Sequence, residues 1–392
     1  MTIEETLPRT PTRQFTRLAG RLDVDPFAAY GEVGAVPPFW TEFPGDIDGF
    51  WVVTRYEDMR ELLRDTSGFT AADSNIPHFV MQHPLLPTEA DPPLLNKLRG
   101  VLLPHMTAEK IDPLEHRMRE VCRELISEIR PAGHCDAVAE FARVYPIKIF
   151  VEFFGLPAER REEFRQHAQT FLHSIPDRPT SWTAIRGIVV EQLLAKRADP
   201  TDDLLSAISN ARIDGELIDL DLATNLASTV FLGGLDTLPS NIAWSLRFLA
   251  SHPEHRRELV DNPGAVPNAV EEFLRCFSVA NPLRRALRDT EIGGSLIRKN
   301  DRVFVLVSNG NRDPLEFDDA NEVRFDREKN RHIAFGGGAH RCLGSHLARH
   351  ELGVALEEWH AQIPDYRIAD DSAVSFSGPI LAVETLPLVW DV

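Results

Sequence analysis

Apolar residues recur at i, i+3 and i+4 through residues 112–129, 136–154, 158–172 and 183–196, and that spacing predicts amphipathic helices across the middle of the chain. Residues 56–64 carry Met59, Leu62 and Leu63 at the same spacing and predict a short helix, directly after a strand-like run at 50–54. Further helices are expected at 201–208, 263–277 and about 343–360. The longest pattern, 219–250, is interrupted by Gly233, Gly234 and Pro239. Strand-like pieces lie near Ala286, near Glu291 and at 302–307, and 374–390 reads as hairpin material. Residues 1–21 show no periodicity and read as a loose N-terminal arm, leaving 22–392 as one domain. Residues 74–93 contain Pro77, Pro84, Pro87, Pro92 and Pro93, and predict a long mobile loop closed by the helix start Asp91-Pro92-Pro93. The expected architecture is a mainly α single domain with small β-sheets.

Composition narrows the class. The chain has 392 residues, 43% hydrophobic and 26% charged, which excludes a largely disordered protein and allows a core without disulfides or zinc. The net charge of -18 argues against general nucleic-acid binding, although it permits a small basic patch. No run approaches the roughly 18 apolar residues of a membrane span, and the polar, acidic start lacks the pattern of a secretory signal. Cys122, Cys135, Cys276 and Cys342 are far apart, with no C-x-x-C, so a reducing cytoplasm is expected.

One cysteine stands in a special context: Phe335-Gly336-Gly337-Gly338-Ala339-His340-Arg341-Cys342-Leu343-Gly344. Glycines ahead of a cysteine let the backbone turn tightly and present its amides to the sulfur. A helix starting there favours the thiolate. Such a thiolate suits haem iron, onto which it pushes electron density.

At this loop the chain resembles the cytochrome P-450 family of haem-thiolate monooxygenases, and most of all the soluble bacterial camphor hydroxylase and its relatives. The resemblance runs from Asp91-Pro92-Pro93 to Leu386-Pro387-Leu388-Val389-Trp390, through Gly233-Gly234-Leu235-Asp236-Thr237 and Ser251-His252-Pro253-Glu254-His255-Arg256. It implies a single-domain cytochrome P-450 fold, with haem b held between the long central helix and the cysteine-loop helix, and Cys342 on the iron. Phe335 and Gly344 join the cofactor-binding set. The family's E-x-x-R signature falls on Glu272 and Arg275, a buried structural pair. The same spacing at Glu57, Glu120, Glu254 and elsewhere reads as solvated helix faces.

The break at Gly233 and Gly234 has two readings. Pattern alone allows two helices separated by a turn. The resemblance implies a locally opened helix, with Thr237 hydrogen-bonding dioxygen and an ordered water and Asp236 relaying protons; Pro239 departs from the relative's helix. Arg99, Arg284 and His340 are the implied propionate partners. Arg285 competes with Arg284, and Leu95 stands where the family often has a histidine. Implied substrate contacts are Leu85, Thr229, Leu232, Gly233, Ala280 and Ile380. His83 takes the place of a tyrosine, with a solvated loop histidine as the plain alternative.

The expected activity is hydroxylation of a small hydrophobic substrate, with a terpenoid as one candidate. Electrons would come from a [2Fe-2S] ferredoxin with its NAD(P)H-dependent reductase, with no fused flavin domain. A basic patch of Arg331, Arg341, Arg349, Lys97 and Arg99 would dock it. The alternatives are a peroxide-driven haem peroxygenase and a non-catalytic haem-thiolate ligand sensor.

Overall fold

The stretch expected at 112–129 begins with a tight 3-10 turn, Asp112–Leu114, and continues as the helix Glu115–Ile129. Its buried stripe is Met118, Val121, Cys122, Leu125, Ile126 and Ile129, the i, i+3, i+4 set that the sequence lays out. The computed structural model describes residues 9–43, 48–76, 84–174 and 176–392. Helices dominate the rest in the same way: Tyr56–Arg64, Val144–Phe154, Arg178–Ala198, Leu220–Gly233, Thr237–Ser251, Val266–Cys276 and Ser345–Gln362. The last of these packs on Glu115–Ile129, Thr237–Ser251 and Val266–Cys276. Aromatic rings fill the gaps: Trp359 lies 5.0 Å from Phe141, and Trp244 lies between Phe27, Phe277 and Phe376. Among the described residues no helix is long and apolar enough to cross a membrane.

The sheets are small. The largest has five strands in the order Phe39–Glu42, Gly49–Val53, Arg302–Val305, Leu283–Ala286 and Phe69–Thr70. Only its pair Gly49–Val53 with Arg302–Val305 is parallel. The tail forms the expected hairpin, Ser375–Gly378 with Ala382–Thr385, but Pro387–Val389 leaves it to pair with Arg367–Ile368 and His134–Asp136.

The arm is where the sequence reading needs correcting. Over its described residues it is strapped down rather than loose. Arg9 pairs with Asp301 at 2.6 Å and stacks over Trp40, Arg13 N–H donates to the Trp40 carbonyl, and Phe15 stacks on Tyr30. The strand Gly20–Leu22 then pairs with Ser375–Gly378. These ties are single cations, single rings and backbone register, none of which leaves a period in the sequence.

Glu272 and Arg275 are both fully buried. Arg275 donates twice to the Glu272 carboxylate, at 2.7 and 2.8 Å, and then to the carbonyls of Asn311, Ala320 and Glu322. Glu272 also accepts from the Arg324 amide, Arg327 and Asn330. Burial opposes ionisation of Glu272, yet these donors outweigh it and hold the carboxyl below its ordinary pKa. The network fixes residues 311–330 against Val266–Cys276. Asn311 Oδ1 in turn accepts from the Ile333 amide, which sets the start of the cysteine loop.

Candidate active site

The loop closes on itself before the cysteine. Gly336 N–H donates to the Ile333 carbonyl at 2.8 Å, and Cys342 N–H to that of Phe335 at 2.9 Å. Gly336 and Gly338 have φ of 68° and 62°, the left-handed region that favours glycine. At Gly338 a Cβ would also stand 2.3 Å from the Leu63 carbonyl oxygen, so this turn is pressed against the Tyr56–Arg64 helix. The following helix starts at Ser345, two residues later than the sequence suggests. Burial in the fold pushes the Cys342 thiol up; the Gly344 amide, Arg99, Arg341 and Arg349 pull it back toward the thiolate. Cys122, Cys135 and Cys276 are packed into the core, whereas the Cys342 side chain, enclosed by the fold on its other sides, opens into a cavity of about 510 Å³.

Arg349 has a supporting role the sequence reading did not give it. Its guanidinium lies 4.6 Å over the Phe335 ring and is held by Glu271 at 2.5 and 2.9 Å. His332 takes the Ala334 amide on Nδ1 and therefore donates from Nε2 to Glu271. Burial alone would raise the Glu271 carboxyl, but His332 and Arg349 bring it down to about 2. Glu271 was hidden in the sequence beside the signature Glu272. Of the other expected docking cations, Lys97 pairs with Asp214 at 2.5 Å and Arg331 with Glu316 at 2.8 Å, while Arg341 is exposed. Arg99 faces the cavity instead.

The same cavity is walled by the broken helix. Leu220–Gly233 ends with short-range bonds, Gly234 N–H to Phe231 O and Leu235 N–H to Leu232 O, and Thr237–Ser251 begins afresh with Ser240 N–H to Asp236 O. Pro239 therefore kinks nothing: it is the third residue of the new helix, where no amide partner is required. Thr229, Gly233, Thr237 and Asn241 form an i, i+4 stripe on the cavity wall. Thr237 Oγ1 donates to the Gly233 carbonyl at 3.3 Å. Asp236 is buried behind the wall and does not cap the helix with its side chain. Phe150 packs against Gly234 so closely that a Cβ there would lie 2.6 Å from its ring.

Arg99, Arg284 and His340 also line the cavity. Strand alternation decides between the neighbouring arginines: Arg284 points inward, while Arg285 donates to Asn300 and lies near Asp73 outside. Burial lowers Arg284 to about 10, with Asp91 the opposing charge. Burial, then the charges of Arg284 and Arg99, press His340 down to about 4. Two arginines and a histidine converging on one cavity, Arg284 buried and Arg99 partly so, suit an anionic group. Together with a thiol and apolar walls, this matches a flat macrocycle with two carboxylates. Leu95, buried at the cavity wall, brings no further cation.

Of the expected substrate contacts, Thr229, Gly233, Ala280 and Ile380 line the cavity. Leu232 is buried but turns into the core, and Leu85 packs on the core from the loop side, so neither reaches the wall. His83 lies outside the described residues. The reading missed Phe150, Asn241 and Arg17, which comes from the arm.

Known proteins agree with this geometry. The family model "Cytochrome P450" matches residues 265–359, the span holding the E-x-x-R pair and the cysteine loop. Over 346 residues the chain is 31% identical to a probable cytochrome P450 127A1 of Sinorhizobium fredii, covering 87% of this chain and 84% of the relative. The chain belongs to the cytochrome P450 family. A second P450 relative, the mycinamicin IV hydroxylase/epoxidase of Micromonospora griseorubida, is 31% identical over 92% of this chain and 94% of its own. The solved structure of cytochrome P450 CYP101C1 is 31% identical and superposes with a TM-score of 0.88, over 97% of this chain and 98% of that one. The protein is accordingly a haem-thiolate monooxygenase whose cofactor is haem with a cysteine thiolate as axial ligand.

Proposed function

We propose that this cytochrome P450 hydroxylates a small, largely apolar molecule of terpenoid size, with Cys342 as the axial thiolate. The observation that carries the reading is a single cavity lined by both Cys342 and Thr237, the thiol in its loop and the hydroxyl at the helix opening. Bound there, haem would supply the activation of dioxygen for insertion into a C–H bond. Arg99, Arg284 and His340 would hold its propionates, and Phe335 and Gly344 would shape the loop beneath it.

Reduction of dioxygen to water consumes protons, and these must arrive at one place. Thr237 Oγ1 holds a proton at the cavity wall, and Asp236 behind it passes protons inward. That pair favours the oxygen-dependent route over a peroxide-driven one. Thr229 Oγ1, on the same stripe, is buried without a hydrogen-bond partner among the described residues, so it offers a bond to a polar atom of the substrate. Gly233, Ala280 and Ile380 supply apolar contact. Electrons would come from a [2Fe-2S] ferredoxin with an NAD(P)H-dependent reductase in the cytoplasm. It would dock on the cysteine-loop face near exposed Arg341.

The test is the reduced carbon monoxide complex. Cys342→Ala should lose the red-shifted Soret band of a thiolate, while the Ala variants of Cys122, Cys135 and Cys276 keep it. A thiolate spectrum that survives Cys342→Ala refutes the assignment. A panel of small terpenoids scored by spin-state shift then gives the substrate class, and Thr229→Val should weaken binding of oxygenated members more than of hydrocarbons.

A further inference from the structure

The Ser345–Gln362 helix presents two histidines one turn apart, His346 and His350, at i and i+4 and therefore on one face. Their rings lie 4.5 Å apart. Facing them from the 3-10 turn Asp112–Leu114 is the carboxylate of Asp112, whose Oδ1 is 2.8 Å from His346 Nε2 and 3.2 Å from His350 Nε2. One donor atom from each of the three residues lies within 4.8 Å of the others. We propose that Asp112, His346 and His350 bind a divalent transition-metal ion, zinc being the best fit, on the surface beside the cysteine loop.

The donor set selects the ion. Two imidazoles and one carboxylate suit zinc and its late-transition neighbours, whereas magnesium and calcium need more oxygens. Zinc bonds to such donors are about 2.0–2.2 Å, which places ligand atoms on a tetrahedron slightly wider than the present spacing. Asp112, with 54% of its side chain exposed, can swing outward to provide that width. The histidines are held on a long helix, so the two harder ligands are already placed. Outside them, Glu115 Oε2 lies 4.0 Å from the second ring nitrogen of His350, positioned to steady a ligating imidazole while Arg119 binds its other oxygen. Nearby cations are engaged by other carboxylates: Lys110 by Asp202, Arg119 by Glu115, Glu357 and Glu358, and Arg349 by Glu271. Three protein ligands leave the fourth position for water. The ion would clamp the helix that follows Cys342 to the start of Glu115–Ile129.

The haem-loaded protein should be titrated with zinc ion alone, in competition with a chromophoric chelator. One equivalent should bind. His346→Ala and His350→Ala should each weaken it by at least about tenfold, and Asp112→Asn by about tenfold. His252→Ala, in a separate surface histidine pair, should leave it unchanged. The haem spectrum reports folding of every variant, and His350→Gln serves if His350→Ala does not fold. Wild-type protein that binds no zinc, or a His346→Ala/His350→Ala double variant that binds it undiminished, overturns the proposal.

Discussion

Gly234→Ala should damage the helix opening through one contact. The φ of Gly234 is -87°, which alanine adopts freely, so backbone strain plays no part. The new Cβ would stand 2.6 Å from Phe150 Cε2, where ordinary contact begins at 3.4 Å, and the ring would have to retreat by about 0.8 Å. It has little room. Phe150 is 5% exposed and is packed by Phe153, Phe154 and Phe231 at centroid distances of 5.5–6.5 Å. Overpacking of this kind costs about 1–3 kcal/mol. Loss of glycine entropy from the unfolded chain returns about 0.4–1 kcal/mol. The expected net loss is therefore at most about 2.6 kcal/mol and about 1.3 kcal/mol at the midpoints, read as a lower denaturant midpoint with an unchanged slope. If the ring holds, the helix end moves instead, and Thr237 moves with it. Phe150→Leu removes the obstructing ring atoms, so the double variant should recover at least half of the loss, a coupling of about 1 kcal/mol. A Gly234→Ala protein as stable as wild type, or effects that simply add in the double variant, would refute the packing argument.

Thr237→Ala should leave substrate binding nearly unchanged and divert consumed NADH to peroxide, measured as the ratio of product to cofactor oxidised. Glu272→Gln should cost about 3–5 kcal/mol in chemical denaturation, because it strips the counter-charge from the fully buried Arg275. Glu271, depressed to about 2 from an ordinary 4.5, stabilises the fold above the unfolded value and loses that contribution as pH falls toward 2. The advantage of wild type over Glu271→Gln should accordingly be full at pH 6 and shrink between pH 4.5 and 3 in urea titrations. If the proposed ferredoxin is the electron donor, its electron transfer should slow as salt rises in stopped-flow reduction. Arg341→Glu should raise its apparent KM more than Lys97→Glu, since Lys97 is already neutralised by Asp214.

The helices were legible because each buries a stripe with a 3.6-residue period, and the cysteine loop because its chemistry needs particular residues at fixed offsets. What stayed hidden depends on phase or on distant partners. Thr229 and Leu232 are equally plausible as wall residues until the helix is built, after which Thr229, Gly233, Thr237 and Asn241 share the stripe and Leu232 turns inward. Strand phase likewise separates Arg284 from Arg285. Arg349 looks like a surface cation until Glu271 and Phe335 are beside it. Pro239 reads as an interruption only while the helix is taken as continuous.

The three-stranded sheet that joins Gly20–Leu22 to Ser375–Gly378 has a consequence for biosynthesis. Register partners such as Gly20 and Gly378 are separated by nearly the whole chain, and residues 379 and 380 of the adjoining turn supply part of the cavity wall. On the ribosome, the strand Gly20–Leu22 has no strand to pair with until the segment around 378 has left the exit tunnel. The helical centre can condense early through its local contacts, but this sheet closes only once residues 376–378 have emerged, and late closure of long-range pairs is slow. Because the turn beside this sheet completes part of the cavity wall, a closed pocket around a prosthetic group depends on the meeting of these two distant segments.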